Sequence, residues 1–212
     1  MNIHDSPAPE QGTIVLVSGG IDSAVTLALA KQNSGLVSTM FFNYGQPHIK
    51  EMESSRKLCT HYKVLTHIRH VEVEQNIETN TRHELLLPNT WVPGRNLLFL
   101  VHAAMVANAV NSHIIAIGAH QEDYPGYPDC SFAALQGAEQ ALQESFARPI
   151  SIWAPLLNMN KAQIVKLGFE LNVPFEMTWS CYKGGDEPCH KCDACIRRER
   201  AFVDNASEDP AL

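Results

Sequence analysis

Apolar and polar positions along this chain follow two alternating periods. Residues 13–17 (TIVLV) form a β-branched apolar run that ends on Ser18, Gly19 and Gly20, and residues 23–32 have helix-forming composition before Asn33 and Gly35. Residues 36–42 (LVSTMFF) predict a second strand, stopped by Tyr44 and Gly45, and residues 50–62 predict a second helix. Ile68, Val71 and Val73 predict a third strand, and the polar, threonine-rich residues 75–93 read as loop with local helix. A buried helix over residues 96–111 leads to a strand over 113–117 (HIIAI) that stops at Gly118, and a long loop follows over 119–131. A helix over 133–146, a short strand over 150–153 and an amphipathic helix over 160–171 complete the pattern, the last capped by Asn160 and stopped by Val173 and Pro174.

Strands alternating with helices at this pace predict an α/β fold with a doubly wound, mostly parallel sheet, because each crossover must bring the chain back in the same direction. Ligands in such sheets sit beyond the carboxyl ends of the strands. The chemistry is therefore expected in the loops after residues 17, 42 and 117.

Composition narrows the class. A chain of 212 residues suits one domain with at most a small appendage, and 45 % hydrophobic with 18 % charged residues is ordinary for a folded globular protein. The formal net charge of -7, without a lysine or arginine stripe, points to a small-molecule substrate and away from nucleic acid. Residues 1–12 are polar and lack the apolar core of a signal peptide, so a cytoplasmic location is expected. The most apolar stretch, residues 97–110, is broken by His102 and Asn108 and is too short to span a bilayer.

Paired glycines directly after a strand let backbone N–H groups converge, and the following helix adds the positive end of its dipole, so SGGIDS (18–23) is expected to hold an anion. The hydroxyls of Ser18 and Ser23 extend the donor set, and Asp22 is placed to hold a magnesium ion on phosphate oxygens. The string is neither GxxxxGKS nor GxGxxG. Far along the chain, Cys181, Cys189, Cys192 and Cys195 follow CxxxxxxxCxxCxxC. That spacing brings four thiolates to one point and leaves no open coordination position, as in a structural zinc site; disulfides or an iron–sulfur cluster are the other readings of the same residues. Lys183, Lys191, Arg197, Arg198 and Arg200 flank the cysteines and are expected to offset thiolate charge or stay solvated.

Between its strand and helix, SGGIDS resembles the signature of the PP-loop ATP pyrophosphatase superfamily, which splits ATP between the α- and β-phosphates. NYGQPH (43–48), VPGRN (92–96), DYPGYPDC (123–130), NKAQIVKLG (160–168) and TWSCYKGG (178–185), running into PCHKCDACIRRERAF, resemble the bacterial 7-cyano-7-deazaguanine synthases over nearly the whole chain. The resemblance implies conversion of 7-carboxy-7-deazaguanine to the nitrile with ammonia and ATP, on the route to queuosine or related modifications. A carboxylate and ammonia merely form a salt, so the acid oxygen must first become a leaving group.

Carried over by residue, the resemblance implies ATP binding by Val17, Ser18, Gly19, Gly20, Ile21, Asp22, Ser23, Ala24, Val25, Thr26 and Leu27. It implies catalytic roles for Asp22, Lys161 and Arg95, and substrate contacts from Tyr44, Gln46, His48, Asn96, Tyr124, Tyr127 and Asp129. The guanidinium of Arg95 suits a carboxylate or phosphate, while a salt bridge and a helix cap are equally consistent uses of Arg95 and Asn96. Cys130 reads as a small buried filler. A homodimer is also implied. The family pattern has aspartate where Asn43 stands, a basic residue where Pro47 stands and arginine where Ser131 stands. Those departures admit a branch that stops at the amide or acylates another amine; a tRNA-modifying PP-loop enzyme is a further alternative. The expected organisation is a loose tail over 1–12, an ATP-binding α/β domain over 13–175, a zinc segment over 176–203 and a frayed tail over 204–212.

Overall fold

The computed structural model describes residues 5–8, 10–45, 49–73, 88 and 90–211. Five strands form one parallel sheet: β1 (Gly12–Leu16), β2 (Leu36–Asn43), β3 (Leu65–His70), β4 (Ile114–Ala116) and β5 (Ser151–Trp153), in the order β3-β2-β1-β4-β5. Six helices accompany them among the described residues: α1 (Ile21–Asn33), α2 (Ile49–His61), α3 (Arg95–Ala109), α4 (Phe132–Phe146), α5 (Lys161–Glu170) and α6 (Asp193–Val203). Short 3-10 turns stand at Pro128–Cys130 and Phe175–Met177. The doubly wound α/β class expected from the periodicity is the one observed.

Both faces of the sheet are covered, which explains why β1 reads as a continuous apolar run instead of an alternating one. Ile14 and Leu16 enter one core with Leu100 of α3 and Leu135 of α4, while Val15 and Val17 enter the other with Val25 of α1, Leu58 of α2, Ile164 of α5 and Phe202 of α6. Successive side chains point to opposite faces, so one strand feeds two cores. No helix among the described residues is long and apolar enough to cross a membrane.

Two expectations need correction. The third strand spans Leu65–His70, so Val71 and Val73 lie beyond it, although the Val71 N–H still donates to the Asn43 carbonyl at 3.0 Å; parallel pairing runs from Ser38 with Leu65 to Asn43 with His70. This edge strand is exposed, and register with β2 decides its limits more than its own apolar residues do. The tail after residue 204 is docked, not frayed: Arg198, buried in α6, donates to both carboxylate oxygens of Asp209. Most of residues 75–93 lie outside the described residues.

The sheet order reverses between β1 and β4, making their carboxyl ends the switch point where a crevice opens. Gly118, just after β4, supports the turn after β1 at close range. A Cβ there would stand 3.0 Å from the Asp22 carbonyl carbon and 3.1 Å from the Ser23 nitrogen.

Candidate functional site

The turn after β1 is built by its glycines and fastened by its serines. Gly19 has φ +96°, a conformation costly for any residue with a Cβ, and Gly20 is the N-cap of α1 with no side chain to occupy the first N–H groups of that helix. The Ser23 hydroxyl donates to the Gly20 carbonyl at 3.0 Å and accepts the Gly19 N–H at 3.2 Å, and Ser18 donates to Ser23 at 3.3 Å. Ser23 thus fixes the turn and is not the free donor expected of it. The Ser55 hydroxyl of α2 donates to the Val17 carbonyl at 3.1 Å, and the Trp179 N–H donates to the Gly19 carbonyl at 2.9 Å. The segment leading into the cysteine cluster is therefore hydrogen-bonded to the anion turn.

A cavity of about 520 Å³ opens at this turn, at the switch point of the sheet. It is of the size usual for a small-molecule or cofactor site. Val17, Ser18, Gly20, Ile21, Asp22 and Ser23 line it. Ala24, Val25, Thr26 and Leu27 do not; all four are buried, and Thr26 donates to the Asp22 carbonyl at 2.8 Å. From the second turn onward a helix spends its N–H groups on its own carbonyls, so residues 24–27 offer the cavity neither side chains nor free N–H groups.

Lys161, first residue of α5 after the Asn160 capping box, reaches across 139 residues to both oxygens of Asp22, at 2.6 and 2.7 Å. The buried His120 lies on the other side of Asp22, with Nε2 3.9 Å from Oδ1, and Nε2 is 3.1 Å from Asp123 Oδ1. Burial alone would raise the Asp22 carboxyl, but Lys161 and His120 together outweigh it and hold it below the ordinary carboxylate value. Asp123 moves the other way, raised by burial and by the Asp22 charge against the pull of His120. Two carboxylates in one pocket with separated proton affinities, beside a lysine and a histidine, mark a functional site.

The opposite wall carries the ring-binding candidates. Tyr44, Arg95, Asn96 and Tyr127 line the cavity. The Arg95 guanidinium lies 5.5 Å from the Tyr44 ring centroid and donates to its hydroxyl at 3.4 Å; burial raises the Tyr44 hydroxyl, and Arg95 opposes that rise. Asn96 turns out not to be the helix cap. Gly94 takes that position without a side chain, and Asp129 Oδ2 accepts the Asn96 N–H at 2.9 Å in its place. Asp129 is thereby occupied as a cap from another loop and does not line the cavity, and Tyr124, exposed on the same loop, does not line it either. Gln46 and His48 lie outside the described residues, as does Pro47. Cys130 is buried against the cavity with its thiol pushed up by burial, and accepts from Asn96 Nδ2 at 3.2 Å, as a filler would. Asn43 accepts the Gly45 N–H, and Ser131 caps α4 by accepting the Ala134 N–H.

Periodicity alone did not single out His120, Asp123, Trp179, Ser180, Tyr182 or Arg197, all of which line the cavity. The available signal was a dense polar string, HQED, directly after an apolar strand. Arg198 also lines it, but is committed to Asp209, Thr178, Ser180 and the Phe175 carbonyl.

The sulfurs of Cys181, Cys189, Cys192 and Cys195 lie within 4.8 Å of one another. The distances of 3.5 Å from Cys192 to Cys195 and 4.0 Å from Cys189 to Cys195 bracket the separation of about 3.8 Å that thiolates about 2.3 Å from one tetrahedral metal adopt. They are far from the roughly 2.05 Å of a disulfide. Backbone N–H groups of Lys183 and Cys189 point at Cys181, while hydrogen bonds from the backbone of Lys191 first and then of Cys192 outweigh burial and lower the Cys189 thiol to about 6. Burial first, then hydrogen bonding from Cys192, raises Cys195 to about 12. Donors aimed at sulfur and four converging thiols fit a metal site.

Comparison with known proteins agrees with this geometry. The family model described as queuosine biosynthesis protein QueC matches residues 12–206. The 7-cyano-7-deazaguanine synthase of Thermoplasma volcanium is 41% identical over 93% of this chain and 88% of its own length; that of Prochlorococcus marinus subsp. pastoris is 36% identical over 91% and 93%. In fold, the chain resembles an NMN synthetase from Francisella tularensis (TM-score 0.55, 16% identity, 95% of this chain and 79% of that one). It also resembles the U34-tRNA thiolase NcsA from Methanococcus maripaludis, solved with its [4Fe-4S] cluster (TM-score 0.52, 17% identity, 93% and 66%). With the anion turn, the Asp22–Lys161 pair and the cysteine cluster in place, the chain belongs to the QueC family of queuosine biosynthesis proteins.

Proposed function

We propose that this protein converts 7-carboxy-7-deazaguanine and ammonia to 7-cyano-7-deazaguanine at the expense of ATP. The observation that carries the reading is the Asp22–Lys161 pair at the start of α1, set in one cavity with the aromatic and guanidinium groups of Tyr44, Tyr127 and Arg95. In a first step an oxygen of the acid attacks the α-phosphorus of ATP, the bond to the bridging oxygen breaks, and pyrophosphate leaves. The N–H groups of the 18–23 turn and the α1 dipole receive the charge that develops on the leaving group. Lys161 moves from Asp22 to phosphate, and the freed Asp22 carboxylate would hold a magnesium ion, which would supply charge neutralisation to the nucleotide. Ammonia then adds to the acyl carbon; AMP departs with the acid oxygen, a proton is released, and the amide results. A second ATP activates the amide oxygen, and loss of AMP with a proton leaves the nitrile.

Tyr44 and Tyr127 supply faces for a purine-like ring, with Asn96 offering polar contact, and Arg95 orients an oxyanion of substrate or nucleotide. The four cysteines hold zinc, a closed site that fastens the C-terminal segment and supplies no open position for catalysis. A homodimer agrees with an exposed apolar stripe of Leu97, Val101 and Met105 along α3, and the protein works in the cytoplasm. Asn43 and Ser131, both spent on local backbone hydrogen bonds, favour one second reading: a branch that stops at the amide.

One experiment separates these readings. Purified protein is incubated with 7-carboxy-7-deazaguanine, ammonium, ATP and magnesium, with AMP measured and acid, amide and nitrile followed by mass spectrometry. Accumulation of nitrile is expected; accumulation of amide alone selects the second reading. No AMP and unchanged acid would sink both. Metal analysis is expected to find zinc in the wild type and none in Cys192→Ser.

A further inference from the structure

Among the described residues, four lysine and arginine side chains line the cavity: Arg95, Lys161, Arg197 and Arg198. Lys161 is held by Asp22, and Arg198 is bound to Asp209 through Nε and Nη2. Arg95 lies over Tyr44 and donates to its hydroxyl. Arg197 differs from these. Its ion pair is with Asp193, one helical turn back on α6, at 3.9 Å, and the Asp193 side chain is 79% exposed. Such a pair is worth little in water and yields readily to a better anion.

The cavity needs such a cation. Asp22, Glu51 and Asp123 already line it, and the proposed reaction brings in a carboxylate beside the phosphates of ATP. The phosphates have the N-terminus of α1 and Lys161, with Arg95 the remaining candidate for an oxyanion of either ligand, so a nucleotide and an acid bound together leave room for a further cation. Arg197 comes from α6, the helix that starts at the cysteine cluster. Beside it stands Tyr182, whose hydroxyl is hydrogen-bonded to Tyr127 of the loop after β4. Both tyrosines line the cavity with Arg197, and Tyr182 lies within electrostatic reach of its guanidinium. A cation at the edge of a flat aromatic wall is the arrangement that a planar heteroaromatic acid requires.

We propose that Arg197 is the carboxylate-binding residue for the heteroaromatic acid, with Tyr182 and Tyr127 forming the wall against its ring. The inference rests on the synthase reading above and adds to it a means of telling acid from amide. A guanidinium holds an anion by charge-assisted hydrogen bonds, so it favours the acid in the first half-reaction. It contributes little to the neutral amide in the second, which helps product amide to exchange its position for renewed activation. It also makes the cysteine-stapled helix a wall of the substrate site.

The test compares wild type, Arg197→Met and Arg197→Lys with three varied substrates: 7-carboxy-7-deazaguanine, its synthetic 7-carboxamide, and ATP. Methionine keeps an apolar stem and removes the charge. For Arg197→Met, KM for the acid is expected to rise roughly ten- to hundredfold, the loss expected for a charge-assisted hydrogen bond. KM for the carboxamide and for ATP should stay within about twofold, which is roughly 0.4 kcal/mol. Arg197→Lys should recover part of the acid affinity. An unchanged KM for the acid overturns the assignment, as does an equal rise for the carboxamide, which would make Arg197 part of the wall only. A rise confined to ATP would place it on the polyphosphate. Wild-type protein that consumes carboxamide but not acid, or neither, overturns the synthase reading itself and the inference with it; a wild type that consumes both, paired with an unaffected Arg197→Met, defeats the inference alone.

Discussion

Substituting alanine for Gly19 tests the foundation of the site, because the added Cβ has nowhere to go. At φ +96° an L-residue adopts a backbone conformation that costs about 1–2 kcal/mol relative to glycine. The Cβ would also stand 2.5 Å from the Glu51 carbonyl oxygen and 2.9 Å from the Ser55 nitrogen, both backbone atoms of α2. α2 cannot simply retreat: Ser55 donates to the Val17 carbonyl, and Leu58 is fully buried in the core beneath. Relief of the overlap by backbone shift adds about 1–3 kcal/mol, giving a total of roughly 2–5 kcal/mol. For a chain of this length that corresponds to a fall in melting temperature of about 4–20 °C. Chemical denaturation gives the free energy, calorimetry the melting shift, and titration with ATP and magnesium the state of the turn, where affinity should fall by at least about tenfold. Gly94→Ala is the control: φ there is also positive, at +69°, but nothing lies within 4 Å, so only the conformational cost applies. If Gly19→Ala melts no lower than Gly94→Ala and binds ATP normally, the close approach of α2 to the turn is not what shapes the site.

Three further outcomes follow from the same geometry. Lys161→Met removes the cation paired with Asp22, which the proposed reaction transfers to phosphate, and leaves Asp22 facing Asp123, so ATP–pyrophosphate exchange should fall by about 10²–10³, the effect usual for a lost transition-state donor. Because the folded value of Asp22 is depressed, the stability it contributes is present above the ordinary carboxylate value of about 3.9 and is lost as pH falls through the folded one. Denaturant melts in acid should therefore show a shallower decline for Asp22→Asn than for wild type, and an identical decline would contradict the assignment. Asp209→Ala strands the Arg198 guanidinium, whose side chain is 6% exposed, although Thr178, Ser180 and the Phe175 carbonyl retain it. A loss of about 3 kcal/mol is expected, and a melting temperature lowered by roughly 6–12 °C, against no change if the tail were merely resting on the surface.

Much of the fold was legible because its signals are local. The buried parallel strands β1, β2, β4 and β5 carry apolar runs bounded by glycine or polar breaks, and the capping box that starts α5 is written in four consecutive residues. β3 was placed late because it is an exposed edge strand whose ends are set by pairing with β2. The anion turn was legible for the same reason as the strands: a strand, paired glycines and a helix are contiguous. Residues 24–27, implied by the resemblance to bind ATP, stand where helix geometry takes over from the turn: their N–H groups bond within α1 and their side chains belong to the core. Asp129 was read as a ligand contact because its string sits in a functional loop, whereas its carboxylate satisfies a helix end that Gly94 cannot.

By itself the sequence determined an α/β chain with a glycine turn between strand and helix at residue 18 and a cluster of four thiols near its end, since each depends on residues close in the chain. It also contained, as matching strings, the family to which the chain belongs. Tertiary structure alone decided that Lys161 meets Asp22 across 139 positions, that Trp179 is bonded to the glycine turn, and that Arg197 borders the cavity while its neighbour Arg198 is buried on Asp209. Two adjacent arginines have nearly the same local pattern. Successive residues on a helix point about 100° apart, so only the packing of α6 against α5 and its neighbouring segments settles which one is spent on structure and which faces the cavity.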